Sequence, residues 1–214
     1  MGGVLLGSVW PAYVFALPLG VRAWGLLNTR HGESLHAQAA ILQEVVTVVF
    51  LGQVVLLFVV RRRTLHGGHS TFVPGLVALL GTFILNLVAY LPVRTTASTE
   101  ALLASSVVIV VGTLWTIWGL AALGRCFGLF PEVRGLVTSG PYRVVRHPVY
   151  LGEIVSAGGL LLVKPNAVIV LIFLIFVALQ YWRTTFEERA LSRVFPRQYA
   201  AYAQRVSRFV PGWP

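Results

Sequence analysis

Aspartate is absent from the 214 residues of this chain, and lysine and cysteine occur once each, as Lys164 and Cys126. A single thiol excludes an intramolecular disulfide and any zinc site built on several cysteines. Cys126 therefore reads as a small apolar residue. Charge is scarce as well: 11% of the residues are charged, where ordinary soluble domains carry roughly 25%. With 57% of the residues hydrophobic, the balance points to an integral membrane protein. The formal net charge of +10 does not imply nucleic-acid binding, because the arginines stand between apolar runs, where the cytoplasmic excess of cations in membrane proteins accounts for them. His66-Gly-Gly-His69 follows an arginine run with no Asp or Cys nearby, and reads as a polar turn rather than a metal site. No metal is expected.

Long apolar segments fill most of the chain. Val4 to Leu27, Ala39 to Val60, Phe72 to Leu91 and Ala101 to Leu123 each suffice to cross a hydrocarbon core of roughly 30 Å. The Met-Gly-Gly start lacks the basic flank of a signal peptide, so the first segment is expected to stay as a helix, kinked at Pro11 and Pro18. Trp115 and Trp118 suit interfacial anchors, and Gly112 and Gly119 suit close helix packing. Glu44, Gln53 and Asn86 lie within spans, where an interhelical hydrogen bond is the plainest role and the lining of a lipid tunnel the functional one. His31 and His36 read as loop residues.

The later part continues with a hairpin. Val149 to Val163 is about 22 Å long at 1.5 Å per residue, short of a full crossing, and a Lys164-Pro165-Asn166 turn leads into Ala167 to Trp182. From Arg183 the composition turns to Arg and Glu, and Leu191, Val194, Phe195, Tyr199 and Tyr202 recur at helical spacing. That pattern predicts an amphipathic helix lying on the membrane. The expected fold is all-α and polytopic, with six transmembrane helices, the last two a hairpin, in one domain over 1–214. Its parts are four spans (1–123), a polar loop (124–152), the hairpin (153–182) and a C-terminal helix and tail (183–214). Six spans place thirteen of the cations on the side of the polar loop and four, Arg22, Arg30, Arg94 and Lys164, on the other. The N-terminus, the loop and the tail are then cytoplasmic.

Hydrophobicity does not explain the loop Gly140-Pro-Tyr-Arg-Val-Val-Arg-His-Pro-Val-Tyr-Leu-Gly152, which sets two Arg, a His, two Tyr and two Pro between apolar runs. Its prolines fix φ, and Pro148 suits the first turn of a helix. The hairpin returns the chain to the loop's side with Arg183-Thr-Thr-Phe-Glu187-Glu188. Arg183 and Glu187 share a helical face, and Glu188 is turned from it by about 100°. Two readings stand: a polar cavity, or residues that pair with one another and with lipid headgroups.

These residues resemble the C-terminal half of the isoprenylcysteine carboxyl methyltransferases. The resemblance rests on Gly135-Leu-Val-Thr-Ser-Gly-Pro-Tyr142, Arg146-His-Pro-Val-Tyr150-Leu-Gly152, the Arg183 to Glu188 segment and Phe195-Pro-Arg-Gln-Tyr199-Ala-Ala-Tyr202, and covers roughly Gly124 to Pro211. It implies a membrane methyltransferase that takes S-adenosylmethionine from the cytoplasm and a lipophilic substrate from the bilayer. By that resemblance Arg134, Gly135, Leu136 and Val137 would line the cofactor with Tyr142 beside them, and His147, Pro148, Val149 and Tyr150 would form the other wall. Glu187 would bind the cofactor, and Arg183 would face the substrate as the catalytic residue. A sulfonium suits carboxylates and aromatic faces, while a guanidinium can hold a carboxylate through two parallel hydrogen bonds. An acceptor carboxylate needs no general base; an amine or thiol would, with His147 or Glu188 as first candidates.

The chain departs from the family at Pro196, where Gly is usual, so the turn there should differ. Related acceptors on this fold include phospholipid amines and thiols. The Arg146 to Glu153 run also resembles membrane sterol and enone reductases that use a nicotinamide cofactor, with Glu153 in place, although Glu187-Glu188 departs from them. A non-catalytic lipid-binding protein is the remaining reading.

Overall fold

The computed structural model describes residues 16–28, 72–86, 98–128, 133–163 and 166–212, with separate helical positions between 37 and 59. The readings made for Glu44, for His31 and His36, for the Arg61 to His69 stretch and for the Asn86 side chain lie outside the described residues or side chains. Residues 16–28 are helical. Then come α1 (Phe72–Phe83), extended by a 3-10 turn Ile84–Asn86, α2 (Thr99–Leu123), α3 (Pro148–Val163), α4 (Ala167–Val194) and α5 (Pro196–Ala203). Among the described residues the only bridge between extended segments is a parallel one from Val145 to Ser207.

Each boundary has a local cause. The Ser98 hydroxyl accepts from the Ala101 amide and caps α2, which ends at Gly124 with φ +50°, a value that glycine reaches without a Cβ clash. Pro148 begins α3, where its missing amide proton is not needed. The Asn166 side chain caps α4 by accepting from the Val168 amide.

One sequence expectation is corrected. No separate amphipathic helix starts at Arg183: α4 runs 28 residues unbroken from Ala167 to Val194. Neither Gly nor Pro interrupts that stretch, so nothing stops the hydrogen-bond ladder at the change from apolar to charged residues. The break falls at Phe195 (φ −125°, ψ 57°), directly ahead of Pro196, because a proline disfavours helical geometry in the residue before it. Leu191 and Val194 thus belong to α4, and Tyr199 and Tyr202 to α5. No positive φ is used at this turn, so it needs no glycine and Pro196 fits it.

Polar side chains are buried between the helices while many large apolar ones face outward. The buried residues of α2 are Ser105, Gly112, Thr116, Gly119 and Leu120, and those of α4 are Ile169, Phe176, Leu179, Gln180, Arg183 and Thr184. Val107, Val111, Leu114, Leu171, Leu174 and Trp182 are exposed. Small and polar residues buried at the helix contacts, with large apolar ones covering the outer faces, is a distribution that suits a bilayer-facing bundle. Among the described residues, the helices starting at Thr99 and Ala167 are long and apolar enough to cross a membrane.

α2 and α3 approach most closely. A Cβ on Gly112 would lie 2.4 Å from the Ser156 amide nitrogen, and one on Gly152 would lie 2.3 Å from Thr116 Oγ1. Ser105 Oγ donates to the Gly159 carbonyl at 2.7 Å across the same seam. Gln53 makes the interhelical bond its position suggested, donating from Nε2 to the Ile117 carbonyl at 3.0 Å. Trp115 and Trp118 pack edge to face at 5.3 Å near the loop end of α2.

Candidate active site

The polar loop is held in shape by the C-terminal segment. Gly140, with φ +60°, opens a 3-10 turn through Arg143. The Arg146 amide donates to the Ser207 carbonyl at 2.8 Å and the His147 amide to the Arg208 carbonyl at 3.3 Å. The Tyr202 hydroxyl donates to the Tyr142 carbonyl at 2.7 Å. Burial pushes the Tyr202 phenol up to about 12, and the more deeply buried Tyr142 phenol is raised further by burial and the nearby Glu187 carboxylate. Both stay protonated near neutrality.

Behind this loop lies a cavity of about 430 Å³, within the roughly 300–1,000 Å³ typical of small-molecule sites. It runs from the loop down between α1, α2, α3 and α4. At the loop end it is lined by Gly135, Leu136, Val137, Tyr142, Arg146, His147, Val149 and Tyr150, with Arg183, Glu187, Leu191, Tyr199 and Tyr202 opposite. Deeper, the walls are Ile109, Leu160 and Phe176, with Thr113, Ser156 and Glu153 among them. Gly135 packs so tightly on Cys126 that a Cβ would meet its Sγ at 2.7 Å. A side chain there would have to displace the Cys126 thiol.

Of the residues singled out in the sequence, Gly135, Leu136, Val137, Tyr142, His147, Val149, Tyr150, Arg183 and Glu187 line this one cavity. Arg134 and Pro148 are buried but do not line it; they lie beneath the wall rather than in it. Arg183 and Glu187 face inward together, and Glu188 faces elsewhere, as their spacing required.

Two networks organise the charges. Glu188 accepts from His147 Nε2 at 2.9 Å, lies 3.3 Å from Arg146 Nε, and pairs with the Arg208 guanidinium. It is a structural junction: one carboxylate joins the loop, α4 and the tail, accepting hydrogen bonds from His147 and Arg208 with the Arg146 guanidinium charge beside it. His147 is further held between Tyr150 and Phe209, ring centroids 5.8 and 5.9 Å away. In the second network the Tyr150 hydroxyl donates to Glu187, whose other oxygen lies 3.9 Å from His147 Nδ1. The Arg183 guanidinium sits 4.8 Å from the centre of the Tyr150 ring. Arg183 Nη1 donates to Gln180 Oε1 at 3.0 Å, and Gln180 Nε2 donates to Glu153. A carboxylate beside aromatic faces suits an organic cation, and a guanidinium one helical turn away suits an anion.

Sequence reasoning passed over Gln180 and gave Glu153 no place in this cavity. Both carried a signal: a Glu in the apolar run of α3, and a Gln three residues before Arg183 in the apolar run of α4, positions where polar groups need a partner.

A family model described as phospholipid methyltransferase matches residues 99–198. The resemblance is to methyltransferases. In Arabidopsis thaliana, protein-S-isoprenylcysteine O-methyltransferase B is 32% identical over 113 residues, covering 48% of this chain and 55% of that protein. Its paralogue, protein-S-isoprenylcysteine O-methyltransferase A, is 32% identical over 115 residues, 49% of this chain and 56% of its own length. The cobalt-zinc-cadmium resistance protein CzcN of Cupriavidus metallidurans is 37% identical over 79 residues, 36% of this chain and 35% of that protein. The chain thus spans about half the length of the plant relatives it matches. The likeness to isoprenylcysteine methyltransferases drawn from the motifs is borne out. Among the described residues no group of His, Cys, Asp and Glu has the arrangement of a metal site.

Proposed function

We propose that this chain is a membrane methyltransferase that transfers the methyl group of S-adenosylmethionine to a lipophilic acceptor, the carboxylate of an isoprenylcysteine-like compound. The observation that carries the reading is one cavity that holds Glu187, Tyr150 and the loop at Gly135 at one end, Arg183 in between, and Ile109, Leu160 and Phe176 at the other. The residues fit the cofactor by chemistry. Glu187 and the faces of Tyr142 and Tyr150 suit its cationic part, and the 135–137 backbone suits its hydrogen-bonding groups. The sulfonium supplies an activated methyl group, so the protein's task is alignment and exclusion of water.

Within that reading each residue has a task. Glu187 binds the cofactor, and the Tyr150 hydrogen bond fixes its carboxylate. Arg183 holds the acceptor carboxylate through its planar fork and sets the line of attack. Ile109, Leu160 and Phe176 take the acceptor's hydrocarbon part. No general base is required, since a carboxylate is ionised near neutrality. Glu188, engaged by His147, Arg146 and Arg208, serves as a tie. The chain crosses the membrane several times, with the loop and tail on the cytoplasmic side; the excess of arginine there and the outward apolar faces of α2 and α4 support this.

Calorimetric titration of the detergent-purified protein with S-adenosylhomocysteine tests the reading, with a reduced nicotinamide nucleotide titrated in parallel. Saturable binding of the first alone is expected. Binding of the nucleotide alone would replace methyl transfer by reduction.

A further inference from the structure

Gln180 and Glu153 are absorbed by neither the cofactor wall nor the structural junction at Glu188. Gln180 has no exposed surface, so both ends of its amide must find partners within the protein. They do, in opposite senses: Oε1 accepts from Arg183 Nη1 at 3.0 Å, and Nε2 donates to the Glu153 carboxylate. The amide cannot be turned over, because that would set its NH₂ against guanidinium donors and its oxygen against a carboxylate. It is a polarised spacer between a cation and an anion on two different helices. α1 closes on the same point, where a Cβ at Gly81 would lie 3.0 Å from Arg183 Cδ and 3.1 Å from Gln180 Oε1.

The spacer has a chemical consequence. A carboxylate in direct contact with Arg183 would engage the guanidinium fork with the geometry that an acceptor carboxylate needs. Through Gln180, the Glu153 carboxylate is kept one side chain away, and Nη1 is drawn to the Gln180 oxygen. The Tyr150 ring, 4.8 Å from the guanidinium carbon, fixes the plane of the fork. Building on the proposed acceptor, we infer that Gln180 is a positioning residue for acceptor recognition: it aims Arg183 into the cavity and keeps the Glu153 carboxylate from pairing with the guanidinium.

A charge-swapped double variant, Glu153→Gln with Gln180→Glu, tests this in the full-length protein. The swap keeps composition, net charge and the capacity for every hydrogen bond in the chain, and moves the anion into contact with Arg183. S-adenosylhomocysteine affinity, thermal midpoint and methyl transfer to N-acetyl-S-farnesyl-cysteine are measured for wild type, the swap and Gln180→Met, which keeps the volume and removes both hydrogen bonds. The expected result is wild-type cofactor affinity in both variants, with the acceptor KM raised about tenfold or more, the order of a lost charge-assisted hydrogen bond. A swap with wild-type acceptor KM would reduce Gln180 to a structural filler and overturn the inference. So would a wild-type protein that binds S-adenosylhomocysteine but leaves this carboxylate acceptor unmethylated, with the cofactor reading intact. Failure of wild type to bind S-adenosylhomocysteine would remove the methyltransferase reading and the inference with it.

Discussion

Tyr150 donates its phenolic hydrogen to Glu187 across the gap between α3 and α4. The two residues are 37 positions apart in the chain, and they meet because α3 and α4 bring the loop end of one beside the charged part of the other. Their bond joins the wall that follows the Arg-His-Pro segment to the wall that follows the hairpin.

Replacing Glu187 by Gln should weaken S-adenosylhomocysteine binding by tenfold or more, about 1.5–3 kcal/mol for a hydrogen bond to a charged group. Tyr150→Phe removes the neutral donor and leaves the carboxylate, so its loss should be smaller, about fivefold. Calorimetry on both variants checks the order. Equal affinities for Glu187→Gln and wild type would withdraw the cofactor role from Glu187.

Arg183→Lys keeps the charge and loses the planar fork. Turnover of a prenyl-cysteine acceptor should fall while cofactor affinity stays within about twofold. Parallel losses of both would show that Arg183 serves the whole cavity and not the acceptor.

Glu188 is the point where Arg146, His147 and Arg208 converge. Glu188→Gln leaves these groups facing one another around a neutral amide, at a cost on the order of 3 kcal/mol. A lowered thermal midpoint in detergent is expected, and Arg208→Gln combined with it should restore part of the loss. An unchanged midpoint would contradict the junction.

The seam between α2 and α3 tolerates no side chain at Gly152, where a Cβ would fall 2.3 Å from Thr116 Oγ1, whereas Gly158 has nothing within 4 Å. Gly152→Ala should destabilise by several kcal/mol through helix separation. Gly158→Ala should be neutral or gain up to about 1 kcal/mol from helix propensity. Thermal unfolding of the pair, side by side, reads the contrast directly.

Much of the site was legible in the residues alone. Arg183 and Glu187 share a helical face by spacing, and Pro148 marks a helix start by its ring; both follow from local geometry that tertiary structure does not alter. The loop stood out because a bilayer punishes polar residues without partners, so a cluster of them in an apolar chain marks a place where partners are supplied. The end of the last long helix was misread at Trp182, because the change from apolar to charged composition reports where the solvent changes and not where the backbone hydrogen bonds stop.

Composition and spacing by themselves determined the helical, strongly apolar character of this chain and the sharing of one helical face by Arg183 and Glu187. Only the tertiary structure decided the division of labour among the acids: Glu187 in the cavity, Glu188 in the structural junction, Glu153 held behind Gln180. The physical reason is that a carboxylate's role is set by the donors that reach it. Here those donors come from His147, Tyr150, Gln180 and Arg208, from segments whose meeting no local pattern encodes.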